Sequence, residues 1–333
     1  MRRKNYAVAL SLYNEVLPKL KNNAIKKYVY VKVAECYRVS NNYVAAIGYY
    51  ESALTAGAFD PVMNKFYATA LQLRGQYLKA ADYYEQYLEE YPEDALARAF
   101  LESCYYAMEE TLDSSEYIVR NVDEINSEDS DYAPMFCNDR LILASSTSKV
   151  NPSKVFPLNG DAFSNFYETR FDLATGKWLP PKEAKGCLNS NVNDGSCCFD
   201  PNLQTLYYMR CDVEKKEGNF CNLYQAAYNQ ANNTWTYEMP LEFGPTGYSY
   251  GHPAITVDGN TLYFVSDMPG GEGGKDIWQV QKKRKTWGNP RNLGKKINTI
   301  GDEEFPYVLD DSLLFFLLTC TRATVAWIFF IRR

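Results

Sequence analysis

The sequence predicts two domains of different class, an array of antiparallel α-helices followed by a region of antiparallel β-sheets. Three observations carry this reading. Two windows near the start match in register at an offset of 34 residues and repeat with helical spacing. That periodicity stops at an acidic, polar stretch, "DEINSEDSD", Asp123 to Asp131. Beyond it come short aromatic and β-branched runs punctuated by Gly, Pro, Asn and Asp, and these also recur. At 333 residues the chain has room for about two domains, each burying its own core.

The helical windows read "AECYRVSNNYVAAIGYYESAL" (Ala34 to Leu54) and "ATALQLRGQYLKAADYYEQYL" (Ala68 to Leu88). Tyr43 falls with Tyr77, Ala46 with Ala80, Tyr50 with Tyr84, Glu51 with Glu85 and Leu54 with Leu88. A half-copy, "KNYAVALSLYNEVL", precedes them, and a weaker helix, "ALARAFLESCYYAM", follows Pro92. Small residues (Ala34, Ala46, Ala68, Ala80) stand where paired helices must approach closely, and aromatic rings fill the spaces between. Asn41-Asn42 and Arg74-Gly75 break the helix inside each pair. Tyr87 and Glu102 take positions where a small residue is expected, so the last pair packs loosely or caps the array. Stacked helix pairs present a concave surface to a partner, and its expected lining is polar and aromatic: Tyr30, Tyr37, Asn41, Asn64, Tyr67 and Arg74. The alternative is that the aromatic stripe is core alone.

In the β region, "GHPAITVDGNTLYF" (Gly251 to Phe264) aligns without gaps to "GSCCFDPNLQTLYY" (Gly195 to Tyr208). "INSEDSDYAPMF" (Ile125 to Phe136) resembles "INTIGDEEFPYV" (Ile297 to Val308). An aromatic, a strand, a polar turn and a tryptophan recur at Tyr167–Trp178, Tyr224–Trp235 and Trp278–Trp287. Each unit thus holds about four strands, and such sheets repeated radially make a β-propeller.

Two known families resemble these residues. The period and positions of the helical windows resemble the tetratricopeptide repeat. "HPAITVDGNTLYFVSDMPGGEGGKDIW" followed by "WGNPRNLGKKINTIGDEEFP" resembles the WD-repeat-like propeller blades of periplasmic proteins. Together they resemble the OmpA-family, peptidoglycan-associated envelope lipoproteins linked to type IX secretion and gliding. The resemblance implies a tetratricopeptide domain over 1–122, a connector over 123–131, and a partial propeller over 132–316 of about three blades and the start of a fourth. It implies a non-enzymatic protein-interaction scaffold at the periplasmic face of the outer membrane, with other envelope proteins as partners. Peptidoglycan would be reached only through an OmpA-like domain that is not visible here, as the lipidated signal sequence is not. Residues 317–333 resemble no blade strand, and the chain reads as an incomplete or frame-shifted product with an apolar tail rather than a membrane span. Two other readings stand beside this one: the non-catalytic propeller of a serine hydrolase, and a cytosolic tetratricopeptide adaptor.

Two stretches imitate catalytic motifs. In "SDMPGGEGGKDIW" (Ser266 to Trp278) the run Gly273-Gly274-Lys275 is followed by Asp276 where a phosphate loop needs Ser or Thr, and a strand follows where it needs a helix. The reading is a turn between blade strands, with glycines supplying positive φ. "GYSYG" (Gly247 to Gly251) matches the nucleophile elbow, yet the single histidine, His252, stands three residues after Ser249 and Pro253 follows it. His252 is therefore expected to make a structural hydrogen bond. The acidic triplet Asp302-Glu303-Glu304 reads as a solvated loop, cation binding being the alternative.

Composition excludes more than it selects. A formal charge of −6 offers no basic surplus for nucleic acid. Among nine cysteines there is no Cys-x-x-Cys pair to begin a zinc site, and no metal or cofactor is expected. Five cluster: Cys187, Cys197, Cys198, Cys211 and Cys221. An oxidising compartment would allow one disulfide there; otherwise they are small buried hydrophobes.

Overall fold

The computed structural model describes residues 5–109, 120–137, 139–147, 156, 160–212, 220–284, 286–310 and 313–319. It divides into two compact units, one holding the helices and one holding the sheets. Among the described residues the last helix ends at Glu109 and the first strand begins at Asp131.

The helical unit contains α1 (Tyr6–Val16), α2 (Asn23–Val39), α3 (Tyr43–Thr55), α4 (Pro61–Gln72), α5 (Tyr77–Glu90) and α6 (Ala95–Glu109). Side chains of Asn5, Asn22, Asn42 and Asp60 cap the first four by accepting from otherwise unpaired N–H groups. The breaks lie where the sequence places them: Asn41 and Gly75 take left-handed backbone, with φ of 61° and 71°. Ala34, Ala46, Ala68 and Ala80 are wholly buried, as close helix approach demands. Tyr50 and Tyr84 are equally buried, and each hydroxyl donates to the preceding helix, Tyr50 to Glu35 and Tyr84 to Thr69 and Gln72. Glu35 and Thr69 stand 34 residues apart, so the repeat fixes the hydrogen bonds as well as the packing. Tyr87 is not loose: it is buried, stacks on Tyr91 and donates to Asp94 at 2.8 Å.

The β unit is a succession of antiparallel meanders. Sheet 1 holds β1 (Asp131–Cys137), β2 (Arg140–Ser145), β3 (Asn165–Asp172), β4 (Lys177–Trp178) and β5 (Lys182–Glu183). Sheet 2 holds β6 (Asn193–Phe199), β7 (Thr205–Asp212), β8 (Phe220–Asn229) and β9 (Thr234–Pro240). Sheet 3 holds β10 (Tyr250–Ile255), β11 (Thr261–Ser266), β12 (Asp276–Lys283), β13 (Thr286–Trp287) and β14 (Arg291–Asn292). A two-stranded sheet 4 follows, β15 (Glu303–Asp310) and β16 (Leu313–Leu318). Leu317 and Leu318 therefore belong to β16, paired with Glu304 and Glu303, and are not part of an aberrant tail. The remainder of that tail, and with it the expectation about a span there, lies outside the described residues.

Trp178, Trp235 and Trp287 each sit on the fourth strand, as the recurring unit requires. Neighbouring sheets share cores. Ile142 and Phe166 pack with Leu206, Tyr208 and Trp235; Tyr207 and Leu223 with Leu262 and Phe264; Tyr263 and Ile277 with Leu314 and Phe316. First strands lie side by side, β1 against β6, β6 against β10 and β10 against β15. Face-packed sheets with adjacent first strands are the arrangement of propeller blades.

A short motif fastens sheet 2 to sheet 1 and sheet 4 to sheet 3. Asn189 accepts from the Phe166 N–H at 2.7 Å and donates to its carbonyl; Asn298 does the same at Ile277, at 2.9 and 3.1 Å. The next residue, Ser190 or Thr299, gives its N–H and hydroxyl to a carboxylate four positions on, Asp194 or Glu303. Ser127 and Asp131 form the same turn. The sequence reveals the first and last copies; the middle one, Leu188 to Asp194, escapes because Asp194 is followed by Gly-Ser-Cys rather than by an X-Pro pair.

Asn298 is buried, so Asn298→Ala strands the N–H of Ile277, whose carbonyl still accepts from the Leu293 N–H. The four described tryptophans, Trp178, Trp235, Trp278 and Trp287, all stand on strands of the β unit, so their fluorescence reports on that unit. Asn298→Ala should lower its stability by about 1–3 kcal/mol in denaturant titration, while the exposed Asn126→Ala should stay within about 0.5 kcal/mol of wild type.

Candidate functional site

Each first strand carries one extra residue. The pairing slips between Tyr132 and Met135, Gly195 and Cys197, Gly251 and Ala254, and Glu304 and Tyr307. At each slip a non-glycine residue takes left-handed backbone: Ala133, Ser196, His252 and Phe305, with φ of 51°, 46°, 48° and 51°. These are bulges, and Pro134, Pro253 and Pro306 fit them because a bulge leaves a residue without a ladder partner for its N–H. The bulges converge. Tyr132, Ala133, Pro134, Met135, Ser196, Cys197, His252, Pro253, Phe305, Pro306, Tyr307 and Leu317 line one cavity of about 390 Å³.

The lining is apolar and aromatic, with His252 its one ionisable base. The imidazole stacks on Phe305 at 3.9 Å and 15°, and Nδ1 accepts from the Phe305 N–H at 3.3 Å. Burial pulls its pKa down to about 4; Lys275 adds to that and Glu304 opposes it. At neutral pH the ring is uncharged with its proton on Nε2. The structural hydrogen bond expected of His252 is thus present. Burial also holds the Cys197 thiol far above its ordinary pKa, so it is no thiolate nucleophile.

The catalytic lookalikes come apart in three dimensions. Ser249 leads into strand β10, not into a helix; its N–H donates to Asp267 at 2.7 Å and its hydroxyl accepts from the Cys221 N–H. The glycine-rich stretch leads into β12, and Lys275 pairs with Glu304 at 2.6 Å. Only Gly270 among its four glycines has positive φ. Gly273 is needed for another reason: a Cβ there would stand 2.2 Å from the Thr299 carbonyl oxygen. The expected turn between β11 and β12 is present, with positive φ at Gly270 alone, and Gly273 serves it through close backbone approach.

The acidic triplet is not a solvated loop. Asp302 accepts from the Lys275 N–H, Glu304 pairs with the Lys275 ammonium, and Glu303 is wholly buried. In sheet 2 the corresponding Asp194 is also wholly buried, and burial pushes its carboxyl up to about 6 against the pull of Arg210. Arg210 bridges Asp194 and Glu238 and stacks over Tyr208 and Tyr224.

Residues expected to line the helical surface divide. Tyr67 is wholly buried and donates to Glu51 at 3.1 Å, and Asn64 is buried and donates to Gln86 at 3.2 Å. Burial removes both from any contact surface in the folded array. Tyr30 and Tyr37 are partly exposed and pack on Tyr49; Asn41 and Arg74 are exposed. Cys211 and Cys221, cross-strand neighbours on β7 and β8, form a disulfide. Among the described residues no three metal-ligating side chains come together, and no helix is long and apolar enough to cross a membrane.

No family model and no curated protein matches the chain. Solved structures similar to it include a protein of unknown function from Dyadobacter fermentans (12% identity, 60% of this chain and 63% of that one, TM-score 0.38). A puromycin-hydrolysing peptidase from Mycobacterium tuberculosis aligns at 16% identity over 56% of this chain and 28% of its own, with a TM-score of 0.35. The β-propeller domain of Cps50 (Swd1) from Myceliophteria thermophila aligns at 8% over 58% and 49%, with a TM-score of 0.33. The chain spans less than two thirds of each. Likeness at this level carries no argument about function.

A fluorophosphonate probe should leave Ser249 unmodified, because no general base contacts its hydroxyl and no helix follows it. Labelling that Ser249→Ala abolishes would overturn this.

Proposed function

We propose that the chain is a non-enzymatic interaction scaffold of the bacterial envelope, in which a tetratricopeptide array precedes the blades of a partial propeller. The observation that carries this is the cavity at the four bulges. Its walls are proline, tyrosine, phenylalanine, methionine and leucine, its histidine is uncharged, and its thiol is held protonated. Such a lining suits an apolar or proline-bearing segment of another protein and supplies no activated nucleophile. The 34-residue register and the left-handed breaks at Asn41 and Gly75 support the tetratricopeptide reading of the helices.

The Cys211–Cys221 disulfide supports the envelope, because disulfides persist in oxidising compartments such as the periplasm. Partners on this reading are other envelope proteins, and nucleic acid is not among them.

Two measurements test the proposal. Non-reducing peptide mapping of protein made with export to the periplasm should recover Cys211 joined to Cys221; both recovered as free thiols would remove the support for that compartment. A panel of apolar and proline-containing peptides should include binders whose affinity drops about tenfold in Tyr307→Ala, the loss expected of an aromatic interface anchor. A panel without a binder, or with binders indifferent to Tyr307, would dismiss the cavity as the contact surface.

A further inference from the structure

Glu303 and Asp276 form a buried acidic pair. Glu303 opens β15, and its N–H donates to the Lys275 carbonyl at 2.7 Å, which sets it beside Asp276 at the start of β12. Their side chains are 0% and 1% exposed. Each carboxylate is anchored through one oxygen only. Glu303 Oε1 accepts from the Thr299 N–H and hydroxyl; Asp276 Oδ2 accepts from the Glu272 N–H at 2.6 Å and from Asn292 at 3.0 Å. The other oxygens, Glu303 Oε2 and Asp276 Oδ1, are buried and have no hydrogen-bond partner among the described residues.

Two buried carboxylates cannot both stay ionised without compensation, since the cost of removing each charge from water runs to several kcal/mol. The corresponding site in sheet 2 shows one solution. There Asp194 faces Arg210 across the strand pair, and the guanidinium neutralises it. Across from Glu303 stands Leu318, which brings no charge. The surrounding ionisable groups do not fill the role. The Lys275 ammonium is committed to Glu304, Lys295 reaches only Glu272, at 4.0 Å, and Asp267, Asp302 and Glu304 add negative charge. His252, stacked on the next residue along β15, is uncharged at neutral pH.

We propose that Glu303 keeps its proton at neutral pH and directs it to the buried, otherwise unpartnered Asp276 Oδ1, a link that joins sheet 4 to sheet 3. A proton needs only two facing oxygens. A calcium ion needs six to eight oxygen ligands, and among the described residues no third His, Cys, Asp or Glu converges here. Desolvation, with Asp276 and Asp302 adding to it, pushes the Glu303 carboxyl up to about 7. The sign of the pH dependence follows. The folded state holds a proton that the unfolded chain releases above its ordinary 4.5, so the pair's contribution is fully present below pH 4.5 and is lost as pH rises through about 7.

Infrared difference spectroscopy of the full chain at pH 6 tests this. In an Asp194→Asn background, which removes the carboxyl that itself titrates at about 6, it should show the carbonyl band of a protonated carboxylic acid, and adding Glu303→Gln should abolish it. The thermal midpoint of the β unit should fall between pH 5 and pH 8 in wild type, and Glu303→Gln, neutral at every pH, should flatten that fall. A band unchanged on adding Glu303→Gln, or no band in the Asp194→Asn protein at pH 6, would overturn the proposal. The second result with a midpoint raised by calcium and lowered by EDTA would make this a cation site instead; without a calcium effect it would mean that both carboxylates are ionised and hydrated. Should Glu303→Gln fail to fold, the presence or absence of the band in the Asp194→Asn protein at pH 6, and its loss by pH 8.5, still decide.

Discussion

Ala133, Ser196, His252 and Phe305 hold the same place in four successive first strands, each with left-handed backbone. For residues with a Cβ that conformation costs on the order of 1–3 kcal/mol and persists only where the surroundings over-determine it. Here they do so twice. On one side, the second strand of each sheet fixes the register before and after the slip. On the other, the first strands of neighbouring sheets press together, so a bulge in one can relax only if its neighbours move. The cavity is a product of this constraint. Four bulges at one level open a space among strands that otherwise pack directly against one another.

That origin explains the chemistry of the cavity. A bulge position needs no ladder donor, so proline is tolerated, and three of the four positions after the left-handed residue are proline. Proline, aromatic and thioether walls lower the local polarity, and the one imidazole among them is discharged by its surroundings. The same burial that holds His252 neutral keeps the Cys197 thiol protonated. The site is shaped by backbone geometry first, and its side chains then take the protonation states that a dry wall imposes.

Much of the fold was legible in the sequence, and the illegible parts have definite causes. The helical register, its breaks at Asn41 and Gly75, and the tryptophans of the fourth strands follow from local periodicity, which one sequence displays directly. The cavity left only a faint trace, the X-Pro pairs Ala133-Pro134, His252-Pro253 and Phe305-Pro306; Ser196-Cys197 breaks that series, and left-handed backbone at a non-glycine residue has no compositional mark. Burial of Asn64 and Tyr67 was hidden for a different reason. Both side chains are polar, and each is satisfied by a partner on a neighbouring helix, Gln86 on α5 and Glu51 on α3, which spacing along α4 does not disclose. The acidic triplet misleads likewise: three consecutive charged residues suggest solvent, yet strand alternation turns the middle one inward.

Variation among the four sheets shows how one architecture absorbs different side chains at a single position. The residue two positions before the left-handed one in the first strand is Asp131, Asp194, Tyr250 and Glu303 in turn. Three are carboxylates held by a serine or threonine four residues earlier, and each meets its charge differently: Asp131 is partly exposed, Asp194 is matched by Arg210, and Glu303 lies beside Asp276. Tyr250 departs from the set. It offers no carboxylate to Thr246, which stands four residues before it; its hydroxyl donates to the Pro245 carbonyl at 2.6 Å, and Ser249 is held instead by Asp267 from the turn of its own sheet. Gly244 makes room for that ring, since a Cβ there would stand 2.3 Å from the tyrosine oxygen. A polar group is required at this position in every sheet, because the chain must be fastened where it passes from one sheet to the next. Which group serves is settled by what the adjoining strand can offer it, so the position varies together with its neighbour.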